Sequence, residues 1–492
     1  MATALLFITV PPFRHAFIFN LFPLCAVGLL VIVLYRGLGG LSVKTALVII
    51  TLTALLFHAF NCIRFGVNFA FDSREYWALA QEFAKGHGLS GLLYRPPLYP
   101  ALAGISIMLG DISGLPVVIF QHAVLLACIP GVYSLGRALR FSQDASLIAA
   151  GFVAFNSLLM QASGFIMTET VFLALVLGAV AALKSLFDKP TLKRALTTGA
   201  IFALAAYCRQ LMFPLLIVGL VFIFVKRGKK SLLFCLLALA MYFGLTAPWC
   251  VRNYLRSGHY SMSANFGLVS FTKASAFGCL NEKGSHFKRI EGPYRTMLRD
   301  LSLIGDAEPK APEDDWQVNR IPHALKDSLI AYHGLTFAGA NDLLGKVAIE
   351  GFIRHPFNYA ASVGSSFLTM LFEHHDMYPE MTYVLPFETT GLYKFFNRML
   401  RGMVYVSGYL FLLFPLALLY RANRRKTLLV PFFIVCLMYF ITAALQIGLT
   451  RYTIPWEPLK ALCAAYVIET LFIGMKFIDI GTRHVEPREL FQ

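Results

Sequence analysis

Apolar runs recur along this 492-residue chain, most of them close to the roughly 20 residues that a helix needs to cross about 30 Å of hydrocarbon. They fall near 16–35, 43–61, 115–136, 145–162, 168–187, 231–248, 401–420, 427–448 and 459–480. Shorter runs near 97–110, 195–207, 211–225 and 358–372 read as tilted spans, half helices or interfacial pieces. At 57% hydrophobic and 14% charged, with a mean hydropathy of +0.64, the chain is far too apolar for a soluble domain of this length. The expectation is an all-α polytopic membrane protein.

A net charge of +16 would suggest nucleic acid in a soluble protein. Here the basic residues sit in short connections, where they set topology instead. Arg137 and Arg140, Lys184 to Arg194, Lys226 to Lys230, and Arg421 to Lys426 mark inward loops. Alternation then places Asp72, Thr168, Glu169, the segment 250–400 and Arg451 together on the opposite side. Two spans before Asp72 put the N-terminus outside as well, and the short 97–110 run must re-emerge on its own side. Arg14 and His15 precede an apolar run too long for a signal peptide and without a small-residue cleavage site, so that run is expected to stay in the membrane.

Nine cysteines are scattered without metal-ligand spacing. Cys25, Cys128, Cys235, Cys436 and Cys463 fall in apolar runs and read as small core hydrophobes, while a Cys250–Cys279 disulfide is a possibility on the outward side. His58, His122, His259, His374 and His375 have no ligand spacing, so no metal site is expected. The GLGG at 37–40 lacks a preceding strand and reads as a turn, and no Walker or GxSxG pattern occurs, which leaves ATP-driven transport without support.

Three regions emerge. Residues 1–248 form an N-terminal transmembrane module with a first external loop at 62–97, residues 249–400 an outward loop region, and residues 401–492 a closing transmembrane segment. The middle region, rich in Gly, Pro and charge, cannot lie in lipid and is expected to form a small capping subdomain. Within it, Leu343, Val347, Ile349 and Phe352 have helical spacing, which predicts an amphipathic helix over 341–353 lying on the bilayer.

The polar stretch FDSREYWALAQEFAKGHGLSGLLYRPPLYP, residues 71–100, sits where the chain leaves the bilayer. Asp72, Glu75, Tyr76 and Leu79 share one face if 73–85 is helical. Asp72 with Glu75 is a capping-box pattern, with Gly86 or Gly88 ending the helix, and a cap is compatible with a catalytic acid. Glu169, at the tip of the next hairpin, is either a solvated loop residue or a second acid aimed at the same place. Arg95, Arg209, Arg252 and Arg451 either anchor to lipid headgroups or hold a phosphate, for which guanidinium donors are well shaped. Tyr76, Tyr94, Tyr99 and Tyr452 are the substrate-contact candidates in the same segments.

FDSREYWALAQ, YRPPLYPAL, FIMTETVFLAL, AAYCRQ, APWCVRN and LTRYTIPWEPL, in this order over most of residues 65–470, resemble the polyprenyl-phosphate-dependent glycosyltransferases of the GT-C superfamily. The family in question contains the protein O-mannosyltransferases and the lipid A aminoarabinose transferase. The resemblance implies about 11 to 13 transmembrane helices with a small extracytoplasmic subdomain. It implies a polyprenyl-phosphate-linked sugar donor and a glycolipid, glycan or protein acceptor, with no nucleic acid partner. It also implies a bacterial inner membrane with the site facing the periplasm.

By the same resemblance Asp72 is the acid at the site of transfer, Glu169 the acid of the second external loop, and Arg95 the basic residue that meets the donor phosphate. Arg209, Arg252 and Arg451 follow as further phosphate partners. Ser73 stands where related enzymes often carry a second acid, and Glu75 comes two residues later. The implied chemistry is a single inverting displacement at the anomeric carbon, with Asp72 orienting or deprotonating the nucleophile and no cofactor or Mg²⁺ required. A transporter or lipid-linked sugar flippase of the same hydropathy, with its ionisable groups near Arg209, is the competing class. An inactive membrane partner is a third.

Overall fold

The computed structural model describes residues 42–69, 71–87, 95–110, 113–263, 265–300, 315–372, 391–420, 428–446 and 450–481. The expected span at 16–35, the GLGG turn, Tyr94, His374, His375 and the basic loop at 421–426 lie outside these residues. Among the described residues the regular structure is helical, apart from one isolated bridge between Asn68 and Phe165. This is an all-α integral membrane protein. Segments long and apolar enough to span are Val43–Ile63, Leu115–Ala138, Glu169–Asp188, Gln210–Arg227 and Lys229–Ser257, and shorter apolar helices include Leu98–Met108, Val404–Tyr420 and Leu429–Leu445.

In chain order the first helices are α1 (Val43–Phe65), α2 (Phe71–Glu82), α3 (Leu98–Met108), α4 (Leu115–Ala138), α5 (Gln143–Ala154) and α6 (Ser157–Ser163). There follow α7 (Glu169–Asp188), α8 (Leu192–Cys208), α9 (Phe213–Arg227) and α10 (Leu232–Ser257). Hydroxyl caps start several of them: Ser42, Ser142 and Thr191 accept from the N–H of Thr45, Ala145 and Arg194. The helix of α2 gives way to a wider turn over Phe83–His87, where Gly86 takes φ +81°, close to the expected stop.

The run at 145–162 was expected as one span, but the chain bends there by 49° between α5 and α6. Asn156 causes the break. Its Oδ1 accepts from Leu159 N and so caps a new helix, while its Nδ2 donates to Glu457 Oε2 at 3.2 Å. Glu457 in turn holds Lys460 at 2.6 Å, both charges being buried. A paired, hydrogen-bonded amide is the form in which such groups survive burial.

The middle region supplies α11 (Phe266–Ala276), α12 (Glu291–Asp300), α13 (Asp315–His333), α14 (Phe337–Arg354) and α15 (Pro356–Phe372). The chain closes with α16 (Gly391–Tyr420), α17 (Leu429–Leu445), two 3₁₀ turns at Thr450–Tyr452 and Ile454–Trp456, and α18 (Glu457–Gly481). Leu268, Phe271, Phe287, Ile290, Leu325, Leu329, Leu344 and Val347 make a separate core for the middle-region helices. The expected bilayer-facing helix is α14, and Leu343 and Val347 are buried in this core while Ile349 is exposed. Part of its apolar face is therefore packed against α11 in this core.

Contact between α11 and α14 depends on Gly267, where a Cβ would meet Asn341 O at 1.6 Å and Gly345 N at 2.9 Å. Both are backbone atoms and cannot swing away. Gly267→Ala is expected to destabilise the middle-region helices by about 1–3 kcal/mol, read as earlier proteolysis of this region in the purified protein. Unchanged protease resistance would contradict the close approach. Cys250 and Cys279 are both free thiols, so the candidate disulfide does not form.

Candidate functional site

Asp72 lies inside the first turn of α2 rather than at a cap position before it. Its carboxylate accepts from Arg95 NH2 at 2.9 Å and, through the other oxygen, from Arg451 NH1 at 2.5 Å. Glu75, one turn on, accepts from Arg95 Nε at 2.8 Å and NH2 at 2.5 Å. The capping-box pairing of Asp72 with Glu75 is thus replaced by a shared guanidinium. Arg95 is aimed by the Pro96-Pro97 pair that follows it and leads into α3. Arg451 comes from the 3₁₀ turn 379 residues downstream of Asp72.

These groups are partly buried, with 20–29% of each side chain exposed. Burial would raise the carboxyl of Asp72, but the charges and hydrogen bonds of Arg451 and Arg95 outweigh it and hold the group well below the usual range. Asp72 is a clamped anion at neutral pH. Tyr76 packs beneath, with the Arg95 guanidinium 5.0 Å from its ring centroid and Tyr99 edge-on at 5.3 Å. Tyr452 takes a similar position under Arg451 at 5.2 Å and has its hydroxyl 3.3 Å from NH2.

A second acid–arginine pair adjoins the first. Glu169, in the first turn of α7, is fully buried and accepts from Arg209 NH2, while Arg209 Nε donates to Thr168 Oγ1 at 2.7 Å. Arg209 ends α8 in an extended conformation, which breaks the chain into the 3₁₀ turn Gln210–Met212 before α9. Tyr76 connects the pairs: burial pushes its phenol upward, and Arg95, Arg209, Asp72 and Glu169 all act on it. Glu169 is not a solvated loop residue.

The expected residues Asp72, Glu75, Arg95, Arg451, Tyr76, Tyr99 and Tyr452 therefore meet, with Glu169 and Arg209 alongside. Arg252 does not join them. It stacks on Trp249 at 4.4 Å and bonds Asn253 Oδ1 at 2.7 Å near the end of α10. Tyr94 is outside the described residues. Among the described residues no group of three or more His, Cys, Asp or Glu is placed to hold a metal ion.

Sequence reasoning passed over Gln121. This buried amide of α4 accepts from Tyr99 OH at 2.8 Å and donates to Ser163 O at 2.9 Å and Phe165 O at 2.7 Å. It ties α3 to the turn that delivers Glu169, a turn also joined to Asn68 through Gly164 O and Ile166 N. The available signal was one amide in the apolar run VVIFQHAVLL, since polar groups inside spans are costly and usually have a purpose. Gln121→Leu removes three hydrogen bonds at about 1 kcal/mol each. A clear fall in melting temperature with reduced activity is expected, and an unchanged melting curve would contradict the tie.

Residues 94–251 match the sequence model of the family described as dolichyl-phosphate-mannose-protein mannosyltransferase. This stretch contains Arg95, Tyr99, Gln121, Glu169 and Arg209. The resemblance to the polyprenyl-phosphate-dependent glycosyltransferases, drawn from the motifs, is thus met by a family match over this segment.

Solved structures resemble the chain at low identity. The oligosaccharyltransferase AglB from Archaeoglobus fulgidus, in complex with an inhibitory peptide and a dolichol-phosphate, is 14% identical with a TM-score of 0.45, over 91% of this chain and 52% of that one. ArnT from Cupriavidus metallidurans bound to undecaprenyl phosphate is 12% identical with a TM-score of 0.36, over 89% and 81%. The chain spans about half the length of the oligosaccharyltransferase. No curated protein sequence matches it.

Proposed function

We propose that the protein is a membrane glycosyltransferase that moves a sugar from a polyprenyl-phosphate donor to an extracytoplasmic acceptor by one inverting displacement. The observation that carries this reading is the Asp72 carboxylate held between Arg95 and Arg451. The family match over 94–251 supports it, and solved ArnT and AglB with undecaprenyl phosphate and dolichol-phosphate suggest the donor class. The acceptor is a glycolipid, glycan or protein, and the site faces the periplasm of a bacterial inner membrane.

In the resting site both guanidiniums are engaged by carboxylates. A donor phosphodiester draws Arg95 and Arg451 toward its own oxygens, as charge-assisted pairs to phosphate favour. Asp72 regains basicity as the guanidiniums leave it. An acceptor hydroxyl then attacks the anomeric carbon and its proton passes to Asp72, while the bond from that carbon to the phosphate oxygen breaks. The departing polyprenyl phosphate gains one negative charge, which the same arginines stabilise. Glu169 and Arg209 bound the far side of Tyr76 and orient the acceptor.

The test is transfer of radiolabelled sugar from polyprenyl-phosphate donors by purified protein in vesicles. Labelled product on an envelope acceptor is the expected result. Movement of the lipid-linked sugar across the vesicle without transfer would reject this reading in favour of a flippase.

A further inference from the structure

Lys273 on α11 is fully buried, and among the described residues its ammonium is bonded to neutral acceptors. Nζ donates to Ser362 O at 3.3 Å and Ser366 Oγ at 3.2 Å, both on α15, and to Gln446 O at 3.4 Å. Gln446 is the residue that ends α17, where the last carbonyls lack helical donors and the helix dipole favours a cation. Beside it, Tyr359 OH of α15 donates to Ala444 O at 3.0 Å. Two middle-region helices thus grip the carbonyl end of α17, five residues before Arg451, and α15 also packs on the Thr450–Tyr452 turn.

We propose that Lys273 is a positioning residue: its ammonium clamps the end of α17 to the middle-region helices and so fixes the turn that holds Arg451 on Asp72. The inference rests on the proposed function, since it concerns how the phosphate-binding arginine is aimed. The clamp works only while Lys273 is charged, because the neutral amine is a weak donor with no charge to offer the helix end. Burial draws its ionisation down to about 8, against a smaller upward pull from Cys279.

Other ionisable groups line the elements packed around it. Cys279, in the turn after α11, and Tyr359 of α15 are both pushed upward by burial. On α14, Glu350 accepts from Ser285 N and His286 N, and Asp342 pairs with Lys346. On α13, Lys326 pairs with Asp327, and burial moves His323 below its ordinary value. Helix α17 carries no acidic or basic residue. In the site itself Asp72 is depressed and Tyr76 and Arg95 are elevated. Of the groups named here, Lys273 is the one that burial brings between neutral and alkaline pH.

The experiment is binding of undecaprenyl phosphate to the full-length protein in nanodiscs from pH 7.5 to 9.5, above the second phosphate ionisation near about 6. Affinity of the wild type is expected to fall by several-fold up to about tenfold across this range, the order of effect of a buried cation at a helix C-terminus. Lys273→Met should bind weakly at every pH with no such fall. Lys273→Arg, where it folds, should keep the tight form at pH 9.5. A flat wild-type profile, or a Lys273→Met profile that follows the wild type, overturns the inference alone. No binding at any pH would reject the functional reading and the inference with it.

Discussion

Asp72→Asn is expected to lower sugar transfer by about 10²–10⁴-fold, the usual contribution of a positioned proton acceptor, while membrane insertion and donor binding persist. The amide keeps the shape of the carboxylate and can still accept one hydrogen bond from Arg95 or Arg451. It offers no charge, so the guanidiniums are released toward phosphate, and affinity for undecaprenyl phosphate should be equal or higher. Wild-type turnover by this variant would remove Asp72 from the mechanism.

The pH dependence has a definite sign. The Asp72 carboxyl is depressed in the folded protein, so its ion pairs stabilise the fold above the ordinary carboxyl value and are lost only as pH falls through the lowered one. An acid limb of kcat/KM, which reports the free enzyme, between pH 5 and 7 must therefore come from another group. If Asp72→Glu moved such a limb, that assignment would be wrong.

The second large effect concerns stability. Arg209→Met strands the fully buried Glu169 without its guanidinium, a loss of about 3–5 kcal/mol for the breaking of a buried pair. Activity should vanish and the half-life at elevated temperature should shorten sharply. Adding Glu169→Leu removes the stranded charge, so the double variant should regain most of the half-life but none of the activity. A double variant as fragile as the single one would mean that Arg209 acts through packing on Phe172 and not through charge.

Much of this site is legible because charge is scarce in the chain. In a sequence so apolar, Asp72, Glu75 and Arg95 within one short polar stretch mark themselves, as does Glu169 at a helix start. The pairing of Asp72 with Arg451 is not legible, because no local pattern reports a contact across 379 residues. Arg252 has the same chemistry as Arg95, and only the phase of α10 turns it toward Trp249. The bend at Asn156 looks in sequence like one polar residue in a span, since its cause is a partner on α18. The helix α14 has the pattern of a surface-lying segment, and periodicity alone does not distinguish lipid from another helix as the apolar neighbour.

The bond between Asp72 and Arg451 joins one of the earliest segments of the chain to one of the latest. A protein threaded into the membrane in order of synthesis holds the acid long before its partner arrives. On the proposed function, an unfinished chain therefore has no assembled phosphate clamp during that interval.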